Sequence, residues 1–447
     1  MQENQLSQNT YNQPVTLKNV LKFAVPTIAM SVFMSFYTMV DGLFVSNLIG
    51  TSALSAINLT APVIQLVTAI STMLATGGSA AVMKKMGEKK TNEARQDFTF
   101  LILVNVVVGL AMCGFGYLFM DSIFNSHSLS VEVANYCQEY LSRYLLFTIP
   151  ILLMNNFTLY MIAAEKSGLS LICSIGGGIT NIILDYLFIA VFDMGIGGAA
   201  IATGLGYSVT AVVGLIVFSN AKNLLHFQKP VCRFKVLLQA SANGCSEMAT
   251  TLVTGIITLV FNWTMVKYVG EDGVAAVTII MYVLMFASSL YSGYTYGVAP
   301  MISYYYGEQN HAKLRKLVRM SLCVILSITA VTITTSLAIT EPLVSVFTRP
   351  DNPVYTLAVT GNRICSFALL FVGFNIFSSG MFTALSNGVV SAILAFSRSF
   401  VFMLIALLTL PALLGVTGIW LATPVAELMA ICLSFILFMK NKKRYQY

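Results

Sequence analysis

The chain has 447 residues, 57% of them hydrophobic and only 10% charged, with a mean hydropathy of +0.80. A water-soluble domain of this size needs far more polar side chains to cover its surface, so a soluble enzyme or binding module is excluded. The formal net charge of +7 reads as membrane topology and contact with lipid headgroups, and with no basic patch interleaved with aromatics, nucleic acid is not an expected partner.

Residues 1–16 are polar, and the first apolar segment is too long to be the core of a cleavable leader. Twelve apolar runs follow, over 17–47, 54–83, 97–120, 134–159, 168–192, 196–219, 236–267, 273–304, 317–340, 355–383, 388–411 and 416–440. Each is long enough to cross a bilayer, and a backbone in lipid must satisfy its own hydrogen bonds, so each is predicted to be a helix. A barrel would show short alternating segments instead. The expected fold is an all-α membrane protein with twelve transmembrane helices.

Lysine and arginine set the orientation. With a cytoplasmic N-terminus, the inner side collects Lys18, Lys84, Lys85, Lys89, Lys90, Lys229, Arg233, Lys313, Arg315, Lys442 and most other basic residues, whereas the outer loops hold only Lys267 and Arg349. That bias predicts both termini on the cytoplasmic side. The eight cysteines are scattered with no Cys-x-x-Cys, and His127, His226 and His311 lie far apart in polar loops, so neither a redox pair nor a metal centre of those residues is expected.

The two halves of the chain match at an offset of 220 without gaps: Gly50 falls on Gly270, Gly77 on Gly297, Arg95 on Arg315, Arg143 on Arg363, Asn155 on Asn375, Gly168 on Gly388 and Thr203 on Thr423. Charged residues and glycines at one fixed offset are hard to obtain by compositional bias alone. Residues 1–220 and 221–447 are therefore expected to form two six-helix lobes, joined by a basic linker at 220–235 and related by a pseudo-two-fold axis along the membrane normal. Such lobes enclose a cleft, and rocking one against the other gives alternating access.

A charge in hydrocarbon costs about 2.5–3.5 kcal/mol on insertion scales, so each intramembrane one needs a reason. Asp41, Asp185, Glu247, Glu427 and Arg398 lie inside spans. Asp41, Asp185 and Thr203 are each about seven residues from the outer end of a span, roughly 10 Å below the surface, and Asn181 is one helical turn deeper than Asp185. Two carboxylates, an amide and a hydroxyl at one depth suit a proton or a sodium ion. At the 220 offset Asp41, Asn181 and Asp185 fall on Phe261, Val401 and Ile405, so this polar set is not a demand of the shared fold. The bland alternative is that the two acids are unrelated and separately paired.

Arg398 with Glu427 reads most simply as a structural ion pair, and Arg143 with Glu139 as a pair one turn apart. Glu247 is then left as a candidate to face the cleft and attract a cationic substrate. Tyr37, Asn155, Tyr291, Tyr294 and Asn375 are further cleft candidates, with packing as the alternative for the tyrosines. Pro26 can loosen the first span and act as a hinge, or simply kink it. Gly176, Gly177 and Gly178 let helices approach closely and are not a nucleotide loop.

The chain resembles the multidrug and toxic compound extrusion family in Val40-Asp41-Gly42, in Asn181-Ile182-Ile183-Leu184-Asp185, and in Gly197 to Thr203 with its echo at Gly418 to Thr423. The likeness covers nearly the whole chain after residue 15. It implies an exporter of organic cations and amphipathic drugs in exchange for protons or sodium. It also implies that Asp41, Asn181, Asp185, Thr203 and the carbonyl of Ala199 form the cation site of the first lobe. Some bacterial members carry a coupling carboxylate in the tenth span, where this chain offers only Asn375.

No cofactor beyond the coupling ion, H+ or Na+, is expected. The expected partners are small amphipathic or cationic compounds and membrane lipids, and the expected setting is a bacterial cytoplasmic membrane, as a monomer. A lipid-linked precursor flippase of the same superfamily is the alternative. It would favour basic residues in the cleft, whereas the buried charges here are mostly acidic. A membrane enzyme or receptor ranks last, for want of a catalytic constellation or a sizeable extramembrane domain.

Overall fold

A computed structural model describes residues 10–48, 51–124 and 131–447, and the side chains of 10–39, 56–120 and 132–447. All regular structure among them is helical. After a short turn at Thr10–Asn12 the helices are α1 Leu17–Leu48, α2 Thr51–Gly87, α3 Thr91–Phe124, α4 Val131–Leu145, α5 Thr148–Ala163, α6 Ser167–Asp185 and α7 Gly195–Ser219. They continue with α8 Phe234–Tyr268, α9 Glu271–Gly307, α10 His311–Ala338, α11 Thr340–Phe347, α12 Pro353–Cys365, α13 Leu369–Ala384, α14 Gly388–Phe396, α15 Met403–Leu414 and α16 Val416–Tyr445. Eleven segments are long and apolar enough to cross a bilayer, and the bent pair Glu132–Leu145 with Thr148–Ala163 makes a twelfth. The chain is a multi-pass helical membrane protein.

Several helices start before the apolar runs do. Helix α3 begins at Thr91 rather than 97, and α10 at His311 rather than 317. Hydropathy registers hydrocarbon, whereas backbone hydrogen bonding continues into polar sequence when a cap supports it. Asn310 supplies such a cap by accepting the Lys313 amide. His311 therefore opens a helix instead of lying in a loop, and His226 is buried.

The predicted span at 134–159 is broken. Its two halves meet at 54°. The Phe147 amide reaches back only to the Tyr144 carbonyl, and Pro150, in the first turn of α5, has no N–H to return to Leu146. Two further irregularities carry no proline or glycine signal. Wide turns of the i→i+5 kind occupy Tyr186–Val191, directly after Asp185, and Ser397–Phe402, which contains Arg398.

The repeat is visible in the backbone, with one correction to its register. The starts of α3 and α10 lie 220 residues apart (311 minus 91), and the left-handed residues Lys89 and Gln309, and Gly195 and Gly415, keep that spacing. The starts of α6 and α14 lie 221 apart (388 minus 167), as do the left-handed Glu165 and Ser386. A hydrogen bond makes the same point: Ser170 Oγ donates to the Thr158 carbonyl, and Ser391 Oγ to the Ser379 carbonyl. The extra residue enters where the turn Ser366–Ala368 replaces the tighter corner at Leu146-Phe147. The offset returns to 220 by Gly195 and Gly415, so the halves match with one residue gained at that corner and lost again before α7, not without gaps.

Contacts divide the chain into a unit Val25–Gly244 and a unit made of Cys245–Tyr447 with the described part of Met1–Ala24. Helices α1 and α8 each belong partly to both. The first unit is built around Leu141, Tyr144, Ile151, Leu152, Ile196 and Ala200, the second around Phe261, Met265, Ile280, Ala358, Trp420 and Ala422. In the first unit the basic stretch after α7 is docked. Arg95 Nε donates to the Leu224 carbonyl, the Gln228 amide to Thr99 Oγ1, and Phe227 stacks on Phe98. Arg233 Nη1 bonds the buried Asp97 at 2.8 Å, and Lys85 pairs with the other oxygen of the same carboxylate.

Candidate functional site

In the first unit the site is set by how closely α6 approaches α7. A Cβ on Gly177 would lie 2.7 Å from the Gly206 carbonyl oxygen, and one on Gly206 would lie 2.8 Å from the Gly177 oxygen. The helices therefore touch backbone to backbone, as small residues allow in membranes. On the neighbouring face Gly178 lets Phe33 of α1 pack within 2.7 Å of the place a Cβ would take, with Tyr37 beside it. Gly176 has open space around its Cβ position and plays no part in this contact.

One turn beyond Gly177, Asn181 is buried and its Nδ2 donates to Thr203 Oγ1 at 3.2 Å. Thr203 in turn donates to the Ala199 carbonyl at 3.0 Å. With Nδ2 so engaged, the Asn181 amide oxygen is buried with no hydrogen-bond partner among the described residues. Asp185 is buried a further turn along α6, at the start of the wide turn. The structure thus brings Asn181, Thr203 and Ala199 into one hydrogen-bonded chain, with Asp185 next on the same helical face. What this offers chemically is a set of hard oxygens: a carboxylate, an amide oxygen, a hydroxyl and a carbonyl. The side chain of Asp41 lies outside the described residues; its backbone is in α1, one turn after Tyr37.

Beneath this cluster is a cavity lined by Met34 and Tyr37 of α1, Met154 of α5, Ser174 of α6, and Tyr207 and Thr210 of α7. Tyr37 is the sequence-predicted member. The methionines, Tyr207 and Thr210 carry no signal in a single sequence, because apolar and hydroxyl residues are everywhere in these helices. Asn155 donates to Ser71 Oγ at 3.0 Å, and its neighbour Asn156 to Asn105 at 2.8 Å, the latter pair wholly buried. Pro26 sits inside α1, which is helical without interruption from Leu17 to Leu48.

The second unit holds a different polar network. Arg398 Nε donates to both carboxylate oxygens of Glu427, at 2.8 and 3.0 Å. Asn375 Nδ2 donates to Glu427 Oε2 at 2.7 Å, and Ser434 Oγ donates to Asn375 Oδ1 at 2.9 Å. Asn375 thus holds the ion pair in place. Glu247 is half-buried, with Arg398 and Tyr296 as its electrostatic neighbours. Tyr291 and Tyr294 are fully buried and turned to α10, bonded to Thr332 at 2.8 Å and to Ser321 at 2.9 Å. Glu139 and Arg143 stand 4.0 Å apart and half-exposed.

Comparison with known proteins agrees with this architecture. The family model MatE matches the chain twice, over residues 26–187 and 247–408, once in each half. A multidrug export protein MepA of Staphylococcus haemolyticus is 24% identical over 436 residues, covering 97% of this chain and 96% of its own. One from Staphylococcus aureus is 23% identical, covering 96% and 95%. Among solved structures, one described as an outward-facing multidrug resistance MATE family transporter aligns with a TM-score of 0.89 at 21% identity, over 96% of each chain. A MOP superfamily transporter from Pyrococcus furiosus, described as having a binding pocket of reverse polarity, aligns at 0.88 and 20% identity, also over 96% of each.

Proposed function

The chain belongs to the MatE family of multidrug and toxic compound extrusion transporters, and from that membership we propose that it exports small, amphipathic, often cationic compounds in exchange for protons or sodium. The MepA relatives are multidrug export proteins, which supports efflux of the same broad kind. The observation that carries the coupling role is the Asn181–Thr203–Ala199 chain with Asp185 one turn on, buried in the first unit.

In this reading Asp185 and Asp41 take up the coupling cation, and Asn181 Oδ1, the Thr203 hydroxyl and the Ala199 carbonyl supply neutral oxygens beside them. Two acids close together in a dry setting hold a proton more tightly than either would alone, which brings uptake and release near working pH. A sodium ion would use the same oxygens. Cation binding neutralises the acids, so a positively charged substrate loses its counter-charges and leaves, and the cycle runs by alternating access with the substrate bound near the membrane midplane. Lysine and arginine placement favours both termini in the cytoplasm of a bacterial cell.

Efflux from proteoliposomes, driven separately by a pH gradient and a sodium gradient, tests this. One of the two gradients is expected to drive export of a lipophilic cation, and Asp185→Asn to abolish it. Export independent of both gradients, or unchanged in that variant, overturns the coupling role.

A further inference from the structure

In the second unit, Arg398 is bound in an unusual way. A guanidinium has five N–H donors, and an ion pair made for stability normally presents two of them in parallel to the carboxylate. Here Nε alone serves both oxygens of Glu427, at 2.8 and 3.0 Å. Among the described residues, neither terminal nitrogen of Arg398 has a hydrogen-bond acceptor. Arg233, by contrast, uses both of its terminal nitrogens, on Asp97 and Gln96.

Glu427 is fully served: Arg398 and Asn375 take its oxygens, and Ser434 fixes Asn375. The pair is therefore complete from the acid's side and open from the base's side. The Arg398 side chain keeps 20% of its surface exposed against 7% for Glu427, so the base is the more accessible partner. It lies within the span Gly388–Leu414, on the wide turn Ser397–Phe402, where donors without acceptors are costly. Glu247, half-buried, is an electrostatic neighbour of the same guanidinium and of Tyr296.

We propose that the open fork of Arg398 is a binding site for a planar oxyanion, most simply a carboxylate, on transported compounds, and that Glu247 beside it receives their cationic group. Glu427, Asn375 and Ser434 are positioning residues: they fix Nε and leave the two terminal NH2 groups without an acceptor among the described residues. The site deepens the export reading by adding an anion-recognising element in the second unit, and only the transport of the bound compound rests on that reading.

Equilibrium binding to the purified full-length protein tests it without relying on transport. The probes are tetramethylrhodamine, a cationic dye with a free carboxylate, and its methyl ester, which differs only in losing that charge. The variant is Arg398→Lys, which keeps a positive charge for Glu427 but has no fork. Wild type is expected to bind the acid several-fold more tightly than the ester, and the variant to lose that preference while binding the ester as wild type does. Glu247→Gln is expected to weaken both dyes alike. Wild-type preference for the ester, or an acid-to-ester ratio unchanged in the lysine variant, overturns the proposal. Efflux of the ester from proteoliposomes, read separately, reports on the exporter function whichever way the binding ratio falls.

Discussion

Gly177 and Gly206 meet so closely that a methyl group on either would fall within 2.8 Å of the other's carbonyl oxygen. This contact sets the distance between α6 and α7, and with it the hydrogen bond from Asn181 to Thr203 one turn away. Backbone cannot rotate aside as a side chain can, so Gly206→Ala is expected to separate the helices. A cost of about 1–3 kcal/mol follows, the usual range for overpacking. A lower melting temperature in detergent with export lost is the expected outcome. Gly176→Ala is the control: its Cβ meets open space, and it gains up to ~1 kcal/mol of helix propensity.

Asn181→Ala removes the donor to Thr203 and the buried amide oxygen together, leaving the hydroxyl of Thr203 its own bond to Ala199. Folding is expected to survive at a cost of about 1 kcal/mol, the worth of one hydrogen bond. Coupled export is expected to fall at least tenfold. Gradient-driven dye efflux against the amount of protein reconstituted gives the measurement, and wild-type export per molecule would rule out a role for Asn181.

Glu427 is 7% exposed at its side chain and has Arg398 as its counter-charge. Glu427→Ala removes the hydrogen-bonded counter-charge of Arg398, leaving only Glu247 as an acidic neighbour, and is expected to cost up to about 3–5 kcal/mol, the range for buried pairs broken on one side. Replacing both partners, Arg398→Leu with Glu427→Leu, is expected to recover most of that loss. Thermal unfolding of the single and double variants in detergent checks the sign of the coupling. Equal destabilisation by the double variant would mean that the pair acts through packing instead.

Asp97 is 1% exposed and receives both Lys85 and Arg233, so it ties α2, α3 and the stretch after α7 together. Asp97→Asn cannot pair with either cation. Residues 224–233 are expected to become accessible, with cleavage by trypsin after Arg233 accelerated several-fold over wild type. Unchanged cleavage would show that Phe227, stacked on Phe98, holds the segment unaided.

The number of spans, the helical class, the internal repeat and the pairing of Arg398 with Glu427 were all legible in the residues, because each follows from a cost that the bilayer imposes locally. A long apolar run has to be a helix, and a buried charge has to find its opposite. The one-residue slip between α6 and α14 was not legible, since a corner can absorb an extra residue without changing any side chain's polarity. Nor were the wide turns beside Asp185 and Arg398, which depend on how a helix is pressed by its neighbours. Of the proposed oxygen cluster, the depths of Asn181, Asp185 and Thr203 came from counting residues. That Asn181 bonds Thr203, that its oxygen is left over, and that Arg398 turns its Nε inward were decided only by tertiary packing, because hydrogen-bond partners are chosen by distances between helices and no sequence spacing encodes those.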